Sequence, residues 1–181
     1  LPGISNDIIG DIIFDSRKNV WVGTEHGLAK INNEGIKMFR EIDGVSSEVI
    51  QALCEDYEEN LWIGTIGAGA NLLKREAIVT YTERDGLTNN KITSIYKAKD
   101  ATLFVSTLHG GMNYMNKSTG KFDFVTLTKE FNTVSISSFV ELNDGMMMVG
   151  TEDNGLFIFT HENGDFKFKN RITHYSKPGD D

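Results

Sequence analysis

Cysteine is almost missing from this 181-residue chain. Cys54 is the only one, which excludes an intrachain disulfide and a cysteine-built zinc site. Lying in the apolar run Ala52-Leu53-Cys54, it reads as a small buried hydrophobe. Proline is nearly as scarce, at 2 residues against 18 glycines, so the turns must be made largely by glycine. No apolar run approaches the ~20 residues of a membrane span. Positive charge is also short: 18 Lys and Arg against 26 Asp and Glu give a formal charge of −8. That balance argues against a nucleic-acid partner, which needs clustered cations, and against docking on anionic lipid. G-x-S-x-G, H-E-x-x-H and the calcium loop D-x-[DN]-x-[DN]-G do not occur, so no metal or cofactor is expected. The chain opens on Leu1 with no charged n-region or apolar h-region, and is expected to be a piece of something longer.

What the chain does have is repetition, and repetition decides the fold. Val20-Trp21-Val22-Gly23-Thr24 recurs as Leu61-Trp62-Ile63-Gly64-Thr65, then as Leu103-Phe104-Val105-Ser106-Thr107 and Met147-Met148-Val149-Gly150-Thr151. The threonines at 24, 65, 107 and 151 set periods of 41, 42 and 44. A second marker drifts in step with the first: Ile9 and Ile12, Ile50 and Leu53, Ile92 and Ile95, Ile136 and Phe139.

Within one period four short β-rich runs follow each other: Ile8 to Phe14, Asn19 to Thr24, Gly27 to Asn32, Ile36 to Ile42. The connections between them are short enough to force antiparallel neighbours, and Asn143-Asp144-Gly145 is a strong hairpin signal. Four-stranded units at this period predict an all-β chain: a β-propeller fragment of four antiparallel blades, at about 4–43, 44–85, 86–130 and 131–178. Trp21 and Trp62, each beside a small glycine, suit packing between blades; the rival reading has them stacking on a sugar.

The string Asn-(Val/Leu)-Trp-(Val/Ile)-Gly-Thr, followed by Gly27-Leu28 or Gly155-Leu156, resembles the two-component regulator propeller repeat. So do the linking phrases Asp43-Gly44-Val45-Ser46 and Asp85-Gly86-Leu87-Thr88, and the acidic turn Glu55 to Asn60 before Trp62. Phe104, Ser106 and Met148 depart from the pattern. The resemblance implies the periplasmic sensor region of a membrane-anchored hybrid histidine kinase, acting through a phosphorelay. It further implies an oligosaccharide ligand and control of genes for polysaccharide use. The opening Leu1 to Ser5 and the closing Ser176 to Asp180 look like the same inter-blade link, which implies four whole blades. An open arc of four would leave an apolar face bare at each end, so self-association is expected, with an eight-bladed ring as one form.

Antiparallel order puts the inter-blade links and the loop between second and third strands on one face of the arc. The candidate ligand residues on it are Glu25, His26, Glu48, Asn89, Asn90, His109, Glu152, Asp153 and Asn154. Amides and carboxylates of this kind pair well with sugar hydroxyls. The opposite face carries Asp15, Asp56, Asp100 and Asp144, read as one recurring turn residue that bonds its own backbone. Two other readings stand beside a sensor. One is a protein-interaction scaffold using the aromatic outer strands, such as Phe122-Asp123-Phe124. The other is a metal-dependent lyase built on His26 and His109.

Overall fold

The protein is described here by a computed structural model covering residues 4, 8–74, 77–142, 145–162 and 165–174. Its alternating runs form four antiparallel sheets of four strands, each sheet in chain order. The first holds β1 (Ile9–Phe14), β2 (Val20–Thr24), β3 (Gly27–Asn32) and β4 (Gly35–Phe39). The second holds β5 (Ile50–Glu55), β6 (Leu61–Thr65), β7 (Ala70–Lys74) and β8 (Ala77–Tyr81). The third holds β9 (Ile92–Lys97), β10 (Leu103–Thr107), β11 (Met112–Asn116) and β12 (Lys121–Phe124). The fourth holds β13 (Ile136–Glu141), β14 (Met146–Thr151), β15 (Leu156–Glu162) and β16 (Asp165–Ile172). This is the four-bladed all-β arrangement that the repeat predicts.

The main boundary difference from the sequence reading is at the end of the fourth strand. β4 stops at Phe39, and Glu41–Asp43 form a 3-10 turn ended by Gly44 at φ 98°. The Asp43 carboxylate accepts the Arg40 backbone N–H at 2.9 Å, and Asp85 does the same for Thr82 at 3.0 Å. Capping therefore wins over strand extension, and Ile42 is left in solvent. Asn143 and Asp144 of the expected hairpin lie outside the described residues, as do Leu1 to Gly3, Ser5 and the closing link from 176 to 180; Gly145 has φ 77°.

Strict alternation would put Ile9 and Ile12, three residues apart, on opposite faces of β1. The register shift between Ile9 and Asp11 resolves this, and the same shift lies between Ile50 and Ala52, between Ile92 and Ser94, and between Ile136 and Ser138. One extra residue turns the spacing of three into a shared face. So Ile50 and Leu53 enter one core, Ile92 and Ile95 the next, and Ile136 and Phe139 the third.

Those three cores lie between sheets. Strand contacts join the first sheet to the second, the second to the third and the third to the fourth. The first core holds Trp21 and Leu28 against Ile50, Leu53 and Ile63. In the second, Trp62 and Ala70 meet Ile92, Val105 and Phe122. In the third, Phe104 and Met112 meet Ile136, Val149 and Phe157. Trp21 and Trp62 are buried in these seams, so their work is packing between blades.

Gly23 and Gly64 make the close approach possible. A Cβ on Gly23 would lie 2.5 Å from Cγ2 of Ile50, and one on Gly64 2.6 Å from Cγ2 of Ile92. In the third blade Ser106 takes this place and its hydroxyl donates to the Ile136 carbonyl at 3.3 Å.

The turn before each tryptophan strand is built on a carboxylate, buried at Asp15 and half-buried at Asp56. Asp15 Oδ2 accepts the indole Nε1–H of Trp21 at 2.7 Å and Asn19 Nδ2 at 2.7 Å, while Oδ1 accepts the Asn19 backbone N–H. Asp56 does the same for Trp62 and Asn60. Asp100 bonds its own turn as the sequence reading expects, accepting the Thr102 N–H at 2.9 Å, but it is not the equivalent of Asp15 and Asp56. The turn bond from Asp15 N to Asn19 O has its counterpart in Ala98 N to Thr102 O, which puts Ala98 in the aspartate's place and Asp100 two residues further on. In the fourth blade Leu142 holds that place, bonding to the Met146 carbonyl. Phe104 and Met148 have no N–H to offer, and an unpartnered buried carboxylate is costly. Carboxylate and indole have been lost together, and Ala98 has joined the core.

Burial works against the charged form of Asp15, yet the hydrogen bonds from Asn19 and Trp21 outweigh it and hold its pKa below the ordinary 3.8. A depressed carboxylate stabilises the fold above its unfolded pKa and loses that contribution as pH falls through the folded value. Asp15→Ala should therefore cost about 2 kcal/mol at neutral pH, because it strands the indole and amide donors. Adding Trp21→Phe, which recreates the Ala98–Phe104 pair, should cost less than the sum of the two single changes by about 1 kcal/mol. The double variant should also lose less stability than the wild type below about pH 4. Denaturant melts at pH 7 and pH 3 measure both effects; strict additivity would refute the coupling.

Cys54 is half-buried against the second core, and burial pushes its thiol pKa up to about 11. At pH 8 a thiol reagent such as Ellman's should leave the native protein unlabelled and label it quickly in denaturant. Rapid native labelling would show an exposed thiolate.

Candidate ligand-binding faces

The loop between second and third strands is closed by the hydroxyl of the recurring threonine in the first, second and fourth blades, while in the third Thr107 Oγ1 bonds Thr88 Oγ1 at 2.8 Å. Thr24 Oγ1 donates to the Gly27 carbonyl at 2.9 Å and accepts the His26 N–H at 3.0 Å. Thr65 donates to the Gly69 carbonyl, and Thr151 donates to the Gly155 carbonyl while accepting the Asn154 N–H. These loops then bond to the link entering the next blade. Gly27 N–H donates to the Glu48 carbonyl at 2.8 Å, Gly69 N–H to Asn90 at 2.8 Å, and Gly111 N–H to Val134 at 3.0 Å. Loops and links therefore do share one face.

The candidate residues on that face divide by how their polar atoms are used. Asn89 accepts the Lys91 N–H at 2.9 Å and donates to the Leu108 carbonyl. Asn90 accepts the Glu83 N–H at 2.9 Å. Asn154 accepts from the Arg171 guanidinium through both its side chain and its backbone carbonyl, while that guanidinium stacks on Phe157. These three amides hold the loops. Glu25, His26, Glu152 and Asp153 are exposed turn residues, and Glu48 is half-buried. His109 has φ 53°, donates its backbone N–H to Ser135 Oγ at 3.0 Å, and has Nδ1 3.3 Å from the same hydroxyl. Among the described residues no carboxylate completes a relay with this pair. No group of three or more His, Cys, Asp or Glu among them is placed to hold a metal ion.

A cleft of about 710 Å³ opens on the opposite face, between the outer strands of the first two blades. Its origin is a size difference in the repeat. In the second seam Phe122 sits edge-on to Trp62 and Tyr81, with centroids 5.9 and 5.6 Å away. Strand pairing puts Ile78 in the corresponding place of the first seam, below Trp21 and Phe39. The smaller side chain does not fill the space. Lys30 lies 5.5 Å from the Trp21 ring and Lys37 4.7 Å from the Phe39 ring, both as cation–π contacts. The other charges along the cleft are mostly engaged. Arg17 pairs with Glu59 and Lys74 with Glu58, while Glu55 accepts the Ser16 N–H and hydroxyl from across the seam. Sequence reasoning missed this cleft, although Ile78 facing a run that elsewhere carries Phe122 was its visible sign.

Residues 2–26 and 44–67 match the family described as two component regulator propeller. No curated protein matches the chain. Among solved structures it is similar to the extracellular domain of the putative hybrid two component system BT3049 from B. thetaiotaomicron, at 22% identity and TM-score 0.78. That match covers 96% of this chain and 26% of the other. It is also similar to the extracellular domain of the putative hybrid two component system BT4673 from the same organism, at 19% identity and TM-score 0.61, covering 94% and 29%. Virginiamycin B lyase from Staphylococcus aureus shares the fold at 14% identity and TM-score 0.72, covering 96% and 59%. The chain thus spans little more than a quarter of the two extracellular domains. Among its described residues no helix is long and apolar enough to cross a membrane. Both tryptophan strands, Val20–Thr24 and Leu61–Thr65, lie inside the two segments that match two-component regulator propeller repeats.

Proposed function

We propose that this chain is a ligand-sensing segment from the periplasmic region of a hybrid two-component histidine kinase. In this reading it binds an oligosaccharide without turning it over, and binding controls transcription of polysaccharide-use genes. The matched repeats and the likeness to two extracellular sensor domains support the sensor role. The observation that carries the ligand class is the cleft beside Ile78. It is concave, its floor is aromatic, and two ammonium groups rest on rings instead of carboxylates. A sugar bearing a carboxylate would exchange those ring contacts for charge-assisted hydrogen bonds. The face holding Glu25, His26, Glu48, His109, Glu152 and Asp153 is the second reading, favoured by its exposed carboxylates, and would suit a neutral glycan.

A thermal-shift titration against neutral and uronate-containing oligosaccharides separates these readings. A dose-dependent rise in Tm is expected for the acidic set, unaffected by chelator. Ile78→Phe, which puts the bulk of Phe122 into the cleft, and Lys30→Ala with Lys37→Ala should remove at least tenfold in affinity. His26→Ala with His109→Ala should leave binding unchanged. The reverse pattern would move the site to the loop face. A metal-dependent response with product formation would establish a lyase, and no response to any glycan would leave the interaction scaffold.

A further inference from the structure

The cleft beside Ile78 is bounded at both ends of its aromatic floor. Toward the loop face the chain itself covers it. The link from β4 to β5 crosses the first seam there, sinking Val45 into the core and placing Asp43 along the cleft. A Cβ on Gly44 would lie 3.7 Å from Ile78, so the link rests against that side chain. Ser46 fastens the link to the second sheet, its N–H donating to Asn71 Oδ1 at 3.1 Å and its hydroxyl to the Ala68 carbonyl at 3.0 Å.

On the opposite face, where the cleft opens, an ion pair crosses the mouth. Arg17 Nε, on the turn of the first sheet, donates to Glu59 Oε2, on the turn of the second, at 3.1 Å. The pair is particular to this seam. Turn bonds from Lys18 to Asp15, Glu59 to Asp56 and Ala101 to Ala98 align Glu59 with Lys18 and Ala101, all three at positive φ. In the second seam the equivalent residues are Glu58 and Ala101, and Glu58 turns instead to Lys74 of its own sheet. In the third they are Asp100 and Gly145, since the Leu142–Met146 turn bond puts Gly145 in the place of Glu59. Among the described residues the ion pair thus stands only at the seam whose periphery Ile78 leaves unfilled. Its two side chains are 64% and 54% exposed, and so exposed a pair adds little to stability. Stability therefore does not account for its place.

We infer that the cleft takes the end residue of an acidic glycan chain and not an internal stretch, and that the Arg17–Glu59 pair sets this limit. The inference rests on the reading of the cleft as a glycan site given above. With the link at one end and the ion pair at the other, the outer edge between β4 and β8 is the way in. A terminal sugar can enter there, lie on the Trp21 ring and bring its carboxylate to Lys30 and Lys37. Lys30 stands on β3, one strand inside that edge, so a sugar that reaches it must leave the rim. An internal residue would need a second exit for the chain, and that exit is where Arg17 meets Glu59. At about 710 Å³ the cleft has the size of a site that encloses a small ligand.

Counting protein copies per glycan chain tests this. Galacturonate and mannuronate chains, as trimers and as long polymers, are titrated by calorimetry with concentrations counted by reducing ends. The wild type should bind one copy per chain at either length. Arg17→Ser with Glu59→Ser should load several copies on each polymer, and circular dichroism melts check its fold. Arg17→Glu breaks the same pair by itself and serves if the double variant does not fold. Several wild-type copies per polymer, all lost with Ile78→Phe, would overturn the inference and leave the reading of the cleft intact. One copy per polymer in the folded variant would overturn the role given to the ion pair. Binding that survives Ile78→Phe, or no binding to any of these chains, would overturn the reading and the inference together.

Discussion

Ile50 and Ile92 press onto the backbone of the preceding sheet at Gly23 and Gly64, where any side chain would stand 2.5–2.6 Å from their Cγ2 atoms. The tryptophans depend on that contact. Only when two sheets meet this closely at their inner strands do Trp21 and Trp62 become enclosed further out. The enclosed indoles then need an acceptor, which Asp15 and Asp56 supply from the turn. Close packing at the inner strand and polar satisfaction at the turn are thus successive demands of one geometry.

The third and fourth blades show how far the design can drift without losing the fold. Phe104 keeps the aromatic volume but drops the indole N–H, and Ala98 replaces the carboxylate that would have lacked a donor. Asp100, two residues beyond Ala98, accepts the Thr102 N–H at 2.9 Å and lies 3.4 Å from Nδ1 of the buried His161, whose ring stacks on Phe166. The third seam is filled by this aromatic group instead of one large indole. The first seam keeps the indole of Trp21 but has Ile78 where the second has Phe122, and that is where the cleft lies.

The sequence made the architecture legible because the markers sit at contacts that every blade must make. Thr24, Thr65 and Thr151 close a loop, Gly23 and Gly64 admit an isoleucine, and the tryptophans fill a seam. The spacing of three between Ile9 and Ile12 was visible too, but its cause was a bulge that no composition rule announces. Aligning the turn aspartates by residue type misplaced Asp100, since the turn is defined by backbone bonds and those select Ala98. Candidate ligand residues were the least legible. Loop amides have the same composition whether they face a ligand or, like Asn89 and Asn154, hold their own loop. The cleft arises from a missing volume at Ile78, and a missing volume is invisible until both sides of the seam are known.

The latch across each seam has a mechanical meaning. Glu55 holds Ser16, Lys97 covers the Tyr57 ring at 5.2 Å, and Glu141 accepts the Lys99 N–H at 2.7 Å. Each sheet is thus pinned to its neighbour at the inner strand and again at the adjoining turn, while the outer strands of the first two sheets stand apart. A stack pinned on its inside and free on its outside moves like the leaves of a fan. A molecule filling the cleft between the first two outer edges would act on the angle between those two leaves, because the inner-strand and turn contacts hold the opposite side.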